Sequence, residues 1–194
     1  MRRSRAIGLG AAALAVGLAT RAGPGRALDD RLYKRANTDL QHPALDRFFA
    51  GVTELGSIYA SLGAAAALAL GGRRRAAAHA LGAAGSMWVL GQGLKRVFRR
   101  PRPWLSVAPG RLMIGKPGGT SWPSSHPAVL LAFATVAARE LGLGPVARGA
   151  LDALAATVAA SRVYLGVHYP ADVAGGLLLG RAVAHAWPTD PIVR

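Results

Sequence analysis

Six apolar runs rich in Ala, Leu, Gly and Val divide this 194-residue chain, and the short polar stretches between them carry almost all of its charge. The runs cover approximately residues 7–20, 55–71, 76–94, 124–138, 146–161 and 170–187. Crossing a bilayer takes roughly 20 apolar residues, with about 17–25 usual, so several runs are short or need their flanks. A helix in a soluble core normally carries a charged outer face, whereas these runs have little charge on any side. The pattern predicts an all-α chain, a six-helix integral membrane bundle.

The first run has two readings. Met1 to Arg5, the apolar stretch Ile7 to Ala19 and then Gly25-Arg26-Ala27 resemble a secretory signal peptide. Residues 1–27 are therefore a transmembrane helix or a signal-like segment, and five helices remain if it is cleaved. Either way residue 28 begins on the far side of the membrane. Between residues 28 and 54, Leu45, Phe48, Phe49 and Val52 recur at helical spacing among mixed charges, which predicts an amphipathic helix lying at the interface.

Composition excludes several kinds of chemistry. With no cysteine, the chain forms no disulfide, no thiolate-ligated metal site and no cysteine nucleophile. Lys and Arg number 24 against 9 acidic residues, a net charge of +15, which first suggests nucleic acid. Only 6% aromatics and 52% hydrophobic residues argue against that partner, because a nucleic-acid module concentrates its charge on a polar surface. The bases also fail to orient the chain by number: with a cytoplasmic amino terminus, ten lie inside (Arg2, Arg3, Arg5, Arg73, Arg74, Arg75, Arg139, Arg148, Arg181 and Arg194) and 14 outside. The acid-free cluster Arg73 to Arg75 is the best local signal for cytoplasm.

Three polar clusters interrupt the apolar pattern: Lys95 to Pro103, Pro123 to His126, and Ser161 to Asp172. The first ends the third run, the second begins the fourth, and the third separates the fifth from the sixth. If each run crosses once, all three lie at one membrane face. There Lys95, Arg102 and Arg162 supply fixed positive charge, and Ser124 with nearby backbone amides supplies donors, which together suit a phosphate. His126 and His168 are able to divide the roles of nucleophile and general acid. Asp172 follows His168 by four residues, so on a helix it shares a face with that imidazole and is able to fix its tautomer.

These residues carry a resemblance. Lys95, six residues, Arg102-Pro103; Pro123-Ser124-Ser125-His126; and Ser161-Arg162, five residues, His168, three residues, Asp172 resemble the three-part signature of the type 2 phosphatidic acid phosphatase superfamily. The resemblance implies that residues 28–194 form a membrane phosphatase domain. It implies that His168 attacks phosphorus to give a phosphohistidine, that Asp172 orients it, and that His126 protonates the leaving oxygen. It assigns phosphate binding to Lys95, Arg102, Ser124, Ser125 and Arg162, with no metal and no cofactor. One position departs from the common pattern: Ser125 stands where Gly is usual. Ser keeps the backbone N–H, provided φ there is negative.

The expected substrate is a lipid phosphate or diphosphate, polyprenyl diphosphate first, then phosphatidate or phosphatidylglycerophosphate. The expected place is the plasma membrane, multi-pass, with the active site on the extracytoplasmic face. The alternative is a catalytically inactive membrane protein that binds lipid phosphate. Arg96, Arg99, Arg100, Arg111 and Lys116 are read as a basic rim facing acidic headgroups. His79 and His185 are read as helix-packing residues, His42 as a turn or interface residue, and Asp152 and Gln92 as inter-helix hydrogen-bonding groups. Trp104 and Trp122 flank the site, where interface anchoring explains them.

Overall fold

In the computed structural model, which describes residues 1–107 and 110–188, every long helix falls on one of the six apolar runs. Arg194, read as a cytoplasmic base, lies outside the described residues. The long helices are α1 (Arg2–Ala19), α4 (Ile58–Leu70), α5 (Arg74–Phe98), α7 (Ser125–Glu140), α8 (Pro145–Tyr164) and α9 (Pro170–Ala186). Shorter pieces fill the connections: α2 (Gly23–Lys34) runs into a π-helical turn over Arg35–Asp39, α3 (Pro43–Val52) ends in a 3₁₀ turn over Thr53–Gly56, and α6 is Pro103–Ser106.

Local sequence accounts for where these elements start. Pro occupies the first turn of α2, α3, α6, α8 and α9, where its missing N–H costs no hydrogen bond. His42 caps α3 by accepting the Ala44 N–H at 3.2 Å. The expected single amphipathic segment is thus two helices, broken over residues 40–42 before Pro43 because the residue preceding a proline is driven out of helical geometry.

The bundle centres on α7, which packs against α5, α8 and α9, while α1 lies along α9 and α4 along α5. Its core is built from small residues: Ala80, Ala83, Ala84, Ala128, Ala132 and Ala184 are buried around Met87, Val129, Val136 and Trp122. Small side chains allow close approach of helices where lipid gives no hydrophobic drive. The approach is very close between α9 and α7: a Cβ on Gly176 would strike the Ser124 carbonyl, and one on Gly180 the Ala128 carbonyl. Gly180→Leu is expected to force α9 off α7 and cost about 3 kcal/mol, typical of the upper range for overpacking. A melting temperature in detergent equal to that of the wild type would remove this contact from the account.

Large apolar side chains point outward from several helices, including Ile7, Leu18, Leu70, Val89 and Val97. Among the described residues, however, no single helix is long and apolar enough to cross a membrane alone. Two bent pairs meet the requirement together: Arg2–Ala19 with Gly23–Asp39, at 90°, and Pro43–Gly56 with Ile58–Leu70, at 64°. The expectation of six separate spans counted runs in which Ala and Gly, only weakly apolar, hold most positions, with ionisable residues close to both ends.

Candidate active site

The three polar clusters do meet at one end of the bundle. Lys95 lies in the last turn of α5, Arg102 precedes α6, Ser125 and His126 open α7, Arg162 lies in the last turn of α8, and His168 sits in the loop before α9. Lys95, Arg102, Ser125, His126, Arg162 and His168 line one cavity of about 300 Å³. Gly56, Tyr59, Trp88 and Gln92 complete much of its wall. Gln92, expected as an inter-helix hydrogen-bonding group, lines this cavity three residues before Lys95 on α5.

His168 is 2% exposed and firmly placed. Its backbone N–H and that of Val167 both donate to the Arg162 carbonyl at 3.1 Å, which folds the loop back on the end of α8. Gly166 makes that fold possible: its φ is +85°, and a Cβ there would meet the Arg111 carbonyl. The imidazole Nε2 lies 3.3 Å from an Arg102 guanidinium nitrogen, so it faces the cationic cavity. Nδ1 lies 3.5 Å from Asp172 Oδ2, on the side where a tautomer-fixing carboxylate belongs. Burial, then the charges of Arg102, Arg162 and Lys95, hold the imidazole well below its usual titration range. It is therefore neutral at pH 7, with a lone pair available at the nitrogen facing the cavity.

Arg102 is fixed almost completely. Its Nε donates to the Gly119 carbonyl at 3.0 Å, one terminal nitrogen to Val167 at 3.0 Å and the other to Gly118 at 2.9 Å. Burial lowers its pKa to about 10, still far above neutrality. Arg162 is held by a bond to the Thr53 hydroxyl at 2.7 Å. Guanidiniums locked by backbone and hydroxyl partners form a preorganised positive cradle.

The second cluster divides its work between neighbours. Ser124 stands at the N-cap position of α7 without a side-chain cap bond and outside the cavity lining, its N–H donating to the Asp172 carbonyl at 3.0 Å and its side chain wholly buried. Ser125 is the cavity-lining residue, and positive φ occurs at Arg99 but not at Ser125, so the condition for retaining its N–H as a donor is met. The N–H groups of Ser125 and His126 lie in the first turn, where helical N–H groups lack intrahelical acceptors and favour an anion.

Asp172 is wholly buried and serves more partners than its motif position suggests. Oδ2 accepts the Tyr169 N–H at 2.8 Å and the Ser121 hydroxyl, and Oδ1 accepts Arg100 at 2.8 Å. Arg100 reaches Asp29 Oδ2 at 2.6 Å with its other arm and lies 4.0 Å from the centre of the Tyr169 ring. Asp29 in turn accepts the Ala171 N–H at 2.9 Å, in the first turn of α9. Arg100 is therefore not a rim charge but a largely enclosed clamp behind the loop that carries His168. Arg111 is likewise tied down, to Asp46 at 3.2 Å and through its backbone to Asn37. Arg96, Arg99 and Lys116 remain exposed as expected.

One tryptophan reading changes. Trp122 is 0% exposed and stacks 3.9 Å from Phe98, so it belongs to the core, not to an interface. Trp104 lies 5.3 Å from the Arg102 guanidinium and adds to its fixation. Two outlying polar residues behave as packing groups: His79 reaches Glu140 at 3.1 Å, and Asp152 joins α8 to Arg181 of α9 at 2.6 Å.

Three cations and two histidines around one cavity, with a buried carboxylate behind His168, gather at one end of an all-helical bundle. The chain belongs to the PAP2 superfamily, whose sequence model matches residues 75–191. It is 41% identical over 93 residues to an undecaprenyl-diphosphatase of Sulfolobus acidocaldarius, covering 47% of this chain and 44% of that one. It is 39% identical over 92 residues to a decaprenylphosphoryl-5-phosphoribose phosphatase of Mycobacterium tuberculosis, covering 46% and 47%. The matched stretch thus spans less than half of either relative. Among solved structures, the transmembrane PAP2-type phosphatidylglycerolphosphate phosphatase of Bacillus subtilis superposes with a TM-score of 0.77 at 25% identity over 92% of both chains. LpxE of Aquifex aeolicus gives 0.72 at 29% identity, over 79% of this chain and 90% of that one.

Proposed function

We propose that this chain is an integral membrane phosphatase that hydrolyses a lipid phosphate or diphosphate without a metal. The observation that carries the reading is the single cavity in which Lys95, Arg102 and Arg162 converge with His126 and His168. The phosphoryl group sits among the three cations and the first-turn amides of α7. Neutral His168 attacks phosphorus through Nε2; the bond from phosphorus to the leaving oxygen breaks, and His126 gives that oxygen its proton. Asp172 stabilises the imidazolium character that develops at His168. His126 then takes a proton from a water whose oxygen bonds to phosphorus as the phosphorus–nitrogen bond breaks, releasing phosphate and restoring both histidines. The catalytic end faces out of the cytoplasm, with Arg73 to Arg75 at the opposite end.

A lipid is favoured by a second feature. An apolar groove of about 560 Å³ runs between α4, α7 and α8, lined among others by Leu55, Ala64, Leu68, Leu130, Phe133 and Leu154. Leu55 in the groove and Gly56 in the catalytic cavity are chain neighbours, so a headgroup in the cavity leads its tail into the groove. Polyprenyl diphosphate is the first choice because two relatives are named for polyprenyl substrates, ahead of phosphatidate or phosphatidylglycerophosphate.

The test is phosphate release by detergent-purified protein in EDTA. The panel is polyprenyl diphosphate, phosphatidate, phosphatidylglycerophosphate and a water-soluble phosphomonoester. Release from the lipids is expected to persist in chelator; total loss, restored by one divalent ion, would contradict the mechanism. Ala64→Trp, which fills the groove, is expected to raise KM for the lipids several-fold while leaving the soluble ester unchanged. Equal KM values in both proteins would move the tail elsewhere. Tight lipid-phosphate binding with no release from any substrate would favour the inactive, lipid-binding alternative.

A further inference from the structure

Arg102 and Arg162 stand in one cradle but are held differently. Three carbonyls fix Arg102. Among the described residues the Arg162 guanidinium makes one hydrogen bond, from a terminal nitrogen to the Thr53 hydroxyl at 2.7 Å. Its Nε is buried and has no hydrogen-bond partner there. The direction in which this fork faces the cavity therefore depends on a single hydroxyl, carried by a segment 109 residues away in sequence.

That segment is built to stay in place. Thr53 is 0% exposed and opens the 3₁₀ turn Thr53–Gly56, with its N–H donating to the Phe49 carbonyl as a continuation of α3. Gly56 closes the turn against both neighbouring helices: a Cβ there would lie 2.8 Å from the His126 Cβ and 2.7 Å from a Val158 methyl. Val158 precedes Arg162 by four residues and shares its face of α8. One short turn thus meets His126 through Gly56 and Arg162 through Thr53, so it sets the place of the cation relative to the acid. The chemistry of the tether also suits this task. A carboxylate in place of Thr53 would pair with the guanidinium and compete with phosphate for its fork, whereas a neutral hydroxyl orients the fork and leaves its charge for the ligand.

We propose that Thr53 is a positioning residue of this site, its hydroxyl aiming the Arg162 guanidinium at the phosphoryl group in a frame that the Thr53–Gly56 turn shares with His126. Thr53 does not line the cavity, so it acts through Arg162 and not on the substrate. Without the hydroxyl, the terminal nitrogen loses its acceptor and the fork leaves the geometry that stabilises charge on the phosphoryl oxygens. Misplacing such a group by about 1 Å costs on the order of 100-fold in rate. The effect of Thr53 on turnover rests on the phosphatase reading; its effect on phosphate binding does not.

Thr53→Val and Thr53→Ser are compared with the wild type as detergent-purified proteins, with a monodisperse size-exclusion profile as the criterion of folding. Valine keeps the buried volume and removes the hydroxyl; serine keeps the hydroxyl and removes a methyl group. Positioning and packing therefore give opposite orders of activity. Thr53→Val is expected to lower kcat/KM at least tenfold for polyprenyl diphosphate and for a water-soluble phosphomonoester alike, with Thr53→Ser within threefold of the wild type. A folded Thr53→Val protein at least as active as Thr53→Ser would overturn the proposal and leave Thr53 a packing residue. If Thr53→Val does not fold, Thr53→Cys takes its place, because a thiol is close to serine in size but a weak acceptor; equal activity of the Cys and Ser proteins would then overturn it. A second arm follows thermal unfolding in rising inorganic phosphate, which reads the cradle without turnover. The phosphate needed for half of the stabilisation is expected to rise at least fivefold in Thr53→Val and to stay unchanged in Thr53→Ser. That order, in a wild type that releases phosphate from no substrate, would sink the phosphatase reading and keep the role of Thr53. An active wild type whose two variants match it in both arms would sink the role of Thr53 alone.

Discussion

Replacing His168 by alanine is expected to lower turnover by on the order of 10⁴-fold or more, the scale on which loss of a nucleophile acts when the rest of a site is left to position substrate alone. The Nε2 atom of His168 is the one that looks into the cavity, 3.3 Å from Arg102, and burial among cations keeps it unprotonated. The remaining cradle does not depend on it: Arg102 keeps its three carbonyl acceptors and Arg162 keeps Thr53. The variant is therefore expected to bind lipid phosphate, elute as a folded protein and form no acid-labile phosphoenzyme. His126→Ala should behave differently, with a loss of about 10²–10⁴-fold that shrinks for substrates whose leaving group needs no proton. If His168→Ala turned over at the wild-type rate, the nucleophile would lie elsewhere and the division of roles would fail with it.

Much of this site was legible in the sequence because its members sit where local rules place them. Hydrophobic runs fix which stretches become helices, and polar clusters at run boundaries become helix ends. Counting crossings is then enough to put Lys95, Arg102, Ser125, His126, Arg162 and His168 at one end. What escaped depends on contacts between segments far apart in the chain. Thr53, which holds Arg162, and Ser121 and Asp29, which hold Asp172 directly or through Arg100, carry no local signal. Trp122 near a run boundary read as an interface anchor, yet Phe98, Gly17 of α1 and Gly175 of α9 close around it. Gln92 is the exception that spacing would have found. It lies three residues before Lys95 on a helix, which places it on the same face.

The stretch Arg96 to Arg100 shows most clearly why sequence alone stops short. Three arginines in five positions look equivalent, and a basic rim is the natural reading of all three. The difference is made by the backbone: Arg99 takes a left-handed conformation, φ 47°, ending α5 and turning the chain, so that Arg99 stays exposed while Arg100 turns inward. There Arg100 meets Asp29 and Asp172, whose side chains are 4% and 0% exposed. Arg100→Gln leaves both buried carboxylates without their cation, a change that typically costs about 3–5 kcal/mol. A large fall in melting temperature is expected, with loss of activity in whatever fraction remains folded, because Asp172 is the group beside His168 Nδ1. Arg100→Lys keeps the charge but lacks the fork that spans two carboxylates, so it is expected to restore part of the stability and less of kcat. Combining Asp29→Asn with Arg100→Gln removes one stranded charge and should recover stability over Arg100→Gln alone, without recovering kcat. An Arg100→Gln protein as stable and active as the wild type would return Arg100 to the solvated rim and leave the placement of the catalytic loop to Tyr169, Ser121 and the Arg162 carbonyl.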